Sequence, residues 1–269
     1  NATQGWVPTI DEAVTDVPIK LNTEGIFGFG YAGAVISYTG LTNLVSSSGV
    51  VASDVTGVGT GRGHVAACGY GGDKGIFGFG YDGSMFSMTN LVSNAGVVAT
   101  DVTGVGTVRQ GLGACTYGGD KGIFGFGYGS DYSAVTNLVS DAGVVATDTT
   151  GVGTAREGIA ACGYGSDKGI FGFGSHDTGL KTAVTNLVSN AGVVATDTTG
   201  VGTARSNVAA CRYGEDKGIF GYGRTASYVS MSNLVSNAGV VATDVTGVGT
   251  DRDQPGACRY GEDKGIFGF

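Results

Sequence analysis

The motif Gly-Ile-Phe-Gly-(Phe/Tyr) occurs six times, with its Ile at 26, 76, 123, 170, 219 and 266, so the chain is a tandem array with steps of 50, 47, 47, 49 and 47 residues. A repeat of this length is one supersecondary unit that cannot bury both of its faces alone and must be covered by its neighbours. Each unit offers four strand candidates. In the second they are "HVAACGYG" (64–71), "KGIFGFG" (74–80), "MFSMTNLVS" (85–93) and "GVVATDVTG" (96–104), here strands a to d, separated by turn-forming residues. The reading is all-β, with four-stranded antiparallel units stacked as blades.

Residue types support that reading. Strand a is built of small residues, Ala66, Ala67, Cys68 and Gly69, as an innermost strand crowded at an axis requires. Strand b alternates Gly with bulky residues, which places Phe77 and Phe79 on one face as core between units. With 53 Gly but only three Pro and no Gly-X-Y period, collagen is excluded. The charge is −8 and the 15 basic residues are spread through the repeats, so no concentrated positive field exists to bind nucleic acid. No apolar run approaches the roughly 18 residues of a membrane span, which argues against membrane insertion. The five Cys, at 68, 115, 162, 211 and 258, hold equivalent strand a positions and read as small buried hydrophobes.

Units of this size, with an Arg closing "VGTAR" before a small-residue strand and then "GIFGFG", resemble Kelch repeats. More closely, they look like the Kelch-like repeats of tail-associated proteins of marine phages. The resemblance covers roughly residues 20–269 and implies a β-propeller. It departs from the family in replacing the Gly-Gly doublet by Gly78-Phe79-Gly80 and in lacking the outer-strand aromatic, since the single Trp is Trp6. Repeat units fall at about 25–60, 61–107, 108–154, 155–203 and 204–250, with a partial unit at 251–269. Residues 1–24 read as an arm that helps close the ring: "EAVTDVPIKL" (12–21) as the first strand a and "TQGWVPT" (3–9) as an outer strand on the last hairpin. Six blades are expected, with five and a loose arm as the alternative.

All length variation between the copies falls between the strand b Ile and the strand c Asn. The b-to-c connections read "YAGAVISYTGL", "YDGSMFSM", "YGSDYSAV", "SHDTGLKTAV" and "RTASYVSM", and a second variable patch follows each Arg in the d-to-a connection. In an antiparallel meander these two connections emerge at the same end of the sheet, so a single variable face is expected. Its candidate ligand-binding residues are Tyr31, Tyr38, Tyr81, Asp82, Phe86, Tyr128, Asp131, Tyr132, His176, Asp177, Lys181, Arg224 and Tyr228. Tyr, Ser and Gly with scattered charge is a paratope-like mixture of rigid aromatic area and adaptable hydrogen bonds. The five Arg, at 62, 109, 156, 205 and 252, have two readings. They form an anion-binding ring at the mouth of strand a, or each braces the Asp eight residues earlier (Asp54, Asp101, Asp148, Asp197, Asp244).

Chemistry is hard to find. The two His, His64 and His176, sit in different repeats without metal-ligand spacing, and there is no nucleophile elbow or phosphate loop. The blade-specific acids Asp131, Glu157, Asp177, Asp251 and Asp253 form no acid–base set. The expectation is therefore a non-enzymatic module with no cofactor and no metal. It would sit on a virion or outside the cell and bind a cell-surface glycan or protein, many weak sites adding through avidity. The alternative is a structural decoration or filament subunit that docks to other virion or filament subunits.

Overall fold

The computed structural model describes residues 22–32, 37–177 and 179–268, and all regular elements among them are strands. β1 (Gly25–Ala32) pairs with β2 (Ser37–Val45). The second repeat forms a three-stranded sheet of β3 (Ala66–Tyr70), β4 (Lys74–Tyr81) and β5 (Met85–Val92). The third uses β6 (Gly113–Tyr117), β7 (Lys121–Gly125) and β8 (Thr136–Val139). The fourth adds a small hairpin, β11 (Ser175–His176) with β12 (Leu180–Lys181), to the sheet of β9 (Ala160–Tyr164), β10 (Lys168–Gly172) and β13 (Thr185–Val188). The fifth is β14 (Ala209–Tyr213), β15 (Lys217–Gly221) and β16 (Ser232–Val235), and the last is the hairpin β17 (Gly256–Tyr260) and β18 (Lys264–Gly268). Every pairing is antiparallel, and strand b is the middle strand of each three-stranded sheet, as the turn chemistry implied.

Strand d is not a regular strand. In the second repeat the segment expected at 96–104 touches strand c only through single bridges, Val98 to Val92 and Val102 to Thr89. The side chain of Asn90, on strand c, intervenes: its Nδ2 donates to Ala99 O at 3.0 Å and to Asp101 Oδ1 at 2.9 Å. A side chain thus takes over an acceptor that a continuous ladder would have used. The units are three strands plus a bridged extended segment, not four strands.

A second correction concerns the Phe pair. Strand b ends in a bulge where the register skips between Gly78 and Gly80, with Phe79 at φ 63°. The extra residue inverts side-chain parity beyond it. Phe77 therefore packs on Phe29 of the preceding repeat, ring centroids 5.1 Å apart, while Phe79 packs on Phe124 of the following one at 5.2 Å. The two do not share a face. Each repeat reaches both neighbours through one strand, and Phe124, Phe126, Phe171 and Phe173 are fully buried as a result.

Close approach between repeats explains the strand b glycines. A Cβ on Gly78 would stand 2.8 Å from Phe124 Cζ, and Gly125 with Phe171 and Gly172 with Phe220 repeat this fit at 2.8 Å. Gly28 meets Phe77, Gly221 meets Phe267, and Gly268 meets Phe27, the last joining the end of the chain to its beginning. Two other links agree. Gly71 N donates to Asp120 O and Gly118 N to Asp167 O, both at 2.7 Å, and Gly261 N donates to Thr23 O at 2.7 Å. Cys68 Sγ lies where a Cβ on Gly122 would be 2.6 Å away, and Cys258 Sγ stands in the same relation to Gly25. The last repeat thus meets the first through the contacts that join all the others. The expected strands at 12–21 and 3–9 lie outside the described residues.

All five Cys are free, and burial raises their thiol pKa values, Cys68 to about 12, so they pack as hydrophobes. Gly169→Ala sets a Cβ 2.5 Å from Cys115 Sγ and is expected to cost about 1–3 kcal/mol by overpacking. Adding Cys115→Ala makes room for the methyl, so the double variant should recover part of that loss. A urea double-mutant cycle with no coupling between the two positions would contradict the packing.

Candidate functional site

Both variable connections of a repeat meet at one end of its sheet. The residue after each of the first four Arg bridges the b-to-c corner of the same repeat: Gly63 to Tyr81, Gln110 to Tyr128, Glu157 to Ser175 and Ser206 to Arg224. Neighbouring repeats are stitched at the same level, since Gly80 N donates to Arg109 O and Gly127 N to Arg156 O. The next residue along, at His64, Gly111, Gly158, Asn207 and Gln254, has φ between 54° and 63°. These left-handed corners form a chain of backbone bonds: Gly111 N to His64 O, Gly158 N to Gly111 O, Asn207 N to Gly158 O and Gln254 N to Asn207 O. A framework fixed by main-chain bonds tolerates different side chains at each corner, which is why sequence can vary there.

On this framework the candidate residues gather in local groups. Tyr31, Tyr38 and Tyr81 form one aromatic cluster, with Tyr31–Tyr38 centroids at 5.1 Å and Tyr38–Tyr81 at 6.0 Å. His64 joins it edge-on at 5.3 Å from Tyr31, and the Tyr31 hydroxyl is hydrogen-bonded to His64 Nε2. Burial and then Tyr38 push the Tyr31 hydroxyl up to about 12, and burial lowers the His64 pKa against the pull of Asp253. The pair is thus uncharged at neutral pH. Tyr128 and Tyr132 stack edge-on at 5.3 Å, with Asp131 turned back onto the Tyr132 backbone. His176 contacts Asp177 at 3.3 Å beside Lys181 on the short hairpin, and the Arg224 guanidinium lies 5.7 Å from the Tyr228 ring. Asp82 caps its own turn through Ser84 N. Phe86 is set apart and lines a shallow groove with Met85, Met88, Val102 and Val108. His64 was absent from the candidates because its role depends on Tyr31, 33 positions away.

The Arg ring is a different object from either expectation. Arg62, Arg109, Arg156 and Arg205 are fully buried. Arg109 donates Nε to Phe126 O at 3.0 Å, Nη1 to Thr107 O at 3.0 Å and Nη2 to Asn137 Oδ1 at 2.6 Å, and the other three repeat this set. Its guanidinium lies 4.8 Å from the Phe79 ring of the preceding repeat. The Asp partner is not the one eight residues earlier: Arg62 pairs with Asp101 at 3.8 Å, Arg109 with Asp148 at 3.6 Å and Arg205 with Asp244 at 3.8 Å. With no exposed surface and with Nε, Nη1 and Nη2 each donating inside the fold, these four Arg are joints between repeats and not an anion-binding ring at the mouth of strand a. Arg252 alone is half-exposed.

The face can supply stacking rings, hydroxyls and a few isolated charges. Among the described residues no three His, Cys, Asp or Glu cluster as metal ligands would, and no helix is long and apolar enough to cross a membrane. Compared with models of protein families and with curated proteins, the chain matches none.

Proposed function

We propose that the chain is a six-bladed β-propeller of Kelch-like type and serves as a non-catalytic recognition module, displayed on a virion, as on a phage tail, or elsewhere outside the cell. Its variable face takes a cell-surface glycan or protein. One observation carries this reading: the two most variable connections of the repeats are hydrogen-bonded to each other at one end of the sheet in four repeats, and the side chains gathered there are tyrosines beside single charges. Tyr offers large, rigid contact area at small entropic cost, with a hydroxyl for specificity. Six-bladedness is supported by the six copies of strand b and by Gly268 meeting Phe27 as Gly78 meets Phe124.

The test is the triple variant Tyr81→Ala, Tyr132→Ala, Tyr228→Ala, applied to a glycan array and to intact cells. Loss of such anchors is expected to weaken binding at least about tenfold, with the thermal transition little changed. Array signal would assign a glycan ligand, and cell binding resistant to deglycosylation a protein. Undiminished binding by the triple variant would end the proposal.

A further inference from the structure

The a-to-b turns repeat almost without change, apart from one correlated replacement. From the strand a Cys onward they read Cys-Gly-Tyr-Gly-Gly (68–72), Cys-Thr-Tyr-Gly-Gly (115–119) and Cys-Gly-Tyr-Gly-Ser (162–166), then Cys-Arg-Tyr-Gly-Glu at both 211–215 and 258–262. The residue after the Cys is small in three repeats and Arg in the last two. These turns lie at the end of the sheets opposite the variable face.

The side chain at this place reaches back onto the preceding repeat. Thr116 Oγ1 donates to Gly69 O at 3.4 Å, and Arg212 Nη2 donates to Gly165 O at 2.9 Å. The Arg212 stem crosses Gly163, where a Cβ would stand 2.7 Å from Arg212 Cδ. Arg259 holds the equivalent place one repeat on. It pairs with Gly265, and a Cβ on Gly265 would stand 3.3 Å from Arg212 O, so the two Arg occupy adjoining strands at one level. Burial and then the like charge of Arg259 lower the Arg212 pKa.

This pair of cations is not neutralised. Arg62, Arg109 and Arg205 each have an Asp partner, whereas among the described residues neither Arg212 nor Arg259 has a carboxylate in ion-pair range. Of the acids in the same turns, Asp263 is held by Lys264 at 3.0 Å, and Asp216 acts on Arg212 more weakly than Arg259 does. Glu215 and Glu262 are exposed and accept from the Arg only through their backbone carbonyls. Arg212 Nε is buried and finds no acceptor among the described residues. Bracing of the turn does not account for the pair, because the hairpins at 66–78 and 113–125 keep the same register with Gly69 and Thr116 in that place. Like charges brought together without a counter-charge destabilise a fold, and an anion between them removes that cost.

We propose that Arg212 and Arg259 together bind a doubly charged oxyanion, a phosphate or sulfate group, at the end of the sheets opposite the variable face. Two planar forks offer paired N–H donors to a tetrahedral anion, and two positive charges match its two negative ones. The site is separate from the variable face and does not depend on the function proposed for it.

Sodium phosphate and sodium sulfate are each titrated into the intact chain by calorimetry at about pH 7.5, where phosphate is mostly a dianion, with ionic strength held constant by sodium chloride. Saturable heat beyond that of chloride is expected. Arg212→Thr and Arg259→Thr copy Thr116, a residue the fold already accepts in this place. Each should weaken binding at least about tenfold and the two together should abolish it, while Arg224→Ala, on the variable face, leaves it intact. Phosphate should also raise the melting temperature of the parent and not that of the double variant. Phenyl phosphate separates the sources: its binding assigns an esterified group, and its exclusion a free ion. Heat from both anions no different from that of chloride overturns the proposal without recourse to any variant, as does binding that survives the double substitution.

Discussion

Arg109→Ala is expected to cost about 3–5 kcal/mol in urea unfolding, and Arg252→Ala less than about 1 kcal/mol, although the two residues occupy the same place in the repeat. The difference follows from surroundings. Arg109 is fully buried, and its removal leaves Asn137 Oδ1, Phe126 O and Thr107 O without their donor and Phe79 without its covering plane. Buried acceptors that lose a charged donor bear their full desolvation cost, and the side-chain volume is lost as well. Lys does not restore this set, since one ammonium cannot reach three acceptors arranged around a planar fork, so Arg109→Lys should retain most of the loss. A loss on this scale is a large share of the roughly 5–15 kcal/mol that holds a domain folded. A cost for Arg109→Ala as small as that for Arg252→Ala would mean that the buried Arg network is not a joint between repeats.

The period, the strand order and the single variable face were legible because they depend on spacing, and spacing survives translation into structure. Where individual side chains go was less so. Period 2 put Phe77 and Phe79 together, but a left-handed Phe79 followed by Gly80 makes a bulge, and a Phe at positive φ is not something local propensity announces. The Arg partner was missed for a related reason. Proximity along the chain favoured Asp101 for Arg109, whereas the Arg opens the next sheet and reaches Asp148, 39 residues on. One signal was available: Asn and Asp are eleven apart in all five copies, at 43 and 54 through 233 and 244. That constancy marks a side-chain contact, and the Asn turns out to be the hub that bonds Arg and Asp together. His64 and Tyr31 gave no such signal, because a pair that occurs once has no copies to compare.

Acid should unfold the chain through four equivalent carboxylates. Asp101, Asp148, Asp197 and Asp244 are each partly buried, which alone would raise their pKa values from 3.8. Hydrogen bonds from the Asn and Thr partners and the nearby Arg outweigh burial and leave the folded values lowered. A group whose pKa is lower in the folded state stabilises the fold above its unfolded value, and that contribution disappears as the pH falls through the folded value. Stability is therefore expected to be level above about pH 5 and to drop steeply below about pH 4, with all four sites titrating in the same window. Glu157 works in the opposite direction, because burial raises its pKa, but it is one group against four. The Thr hydroxyls of Thr60, Thr107, Thr154 and Thr203 each donate to one of these carboxylates. Replacing all four by Val removes one bond per site, moves the folded pKa values back toward the ordinary one and should make the pH dependence of unfolding shallower. Denaturant unfolding between pH 6 and pH 2.5 reads this directly. An unchanged slope in the Val variant would show that these Thr–Asp bonds do not govern the acid response, and no loss of stability at all in the parent chain would remove the carboxylates from its cause.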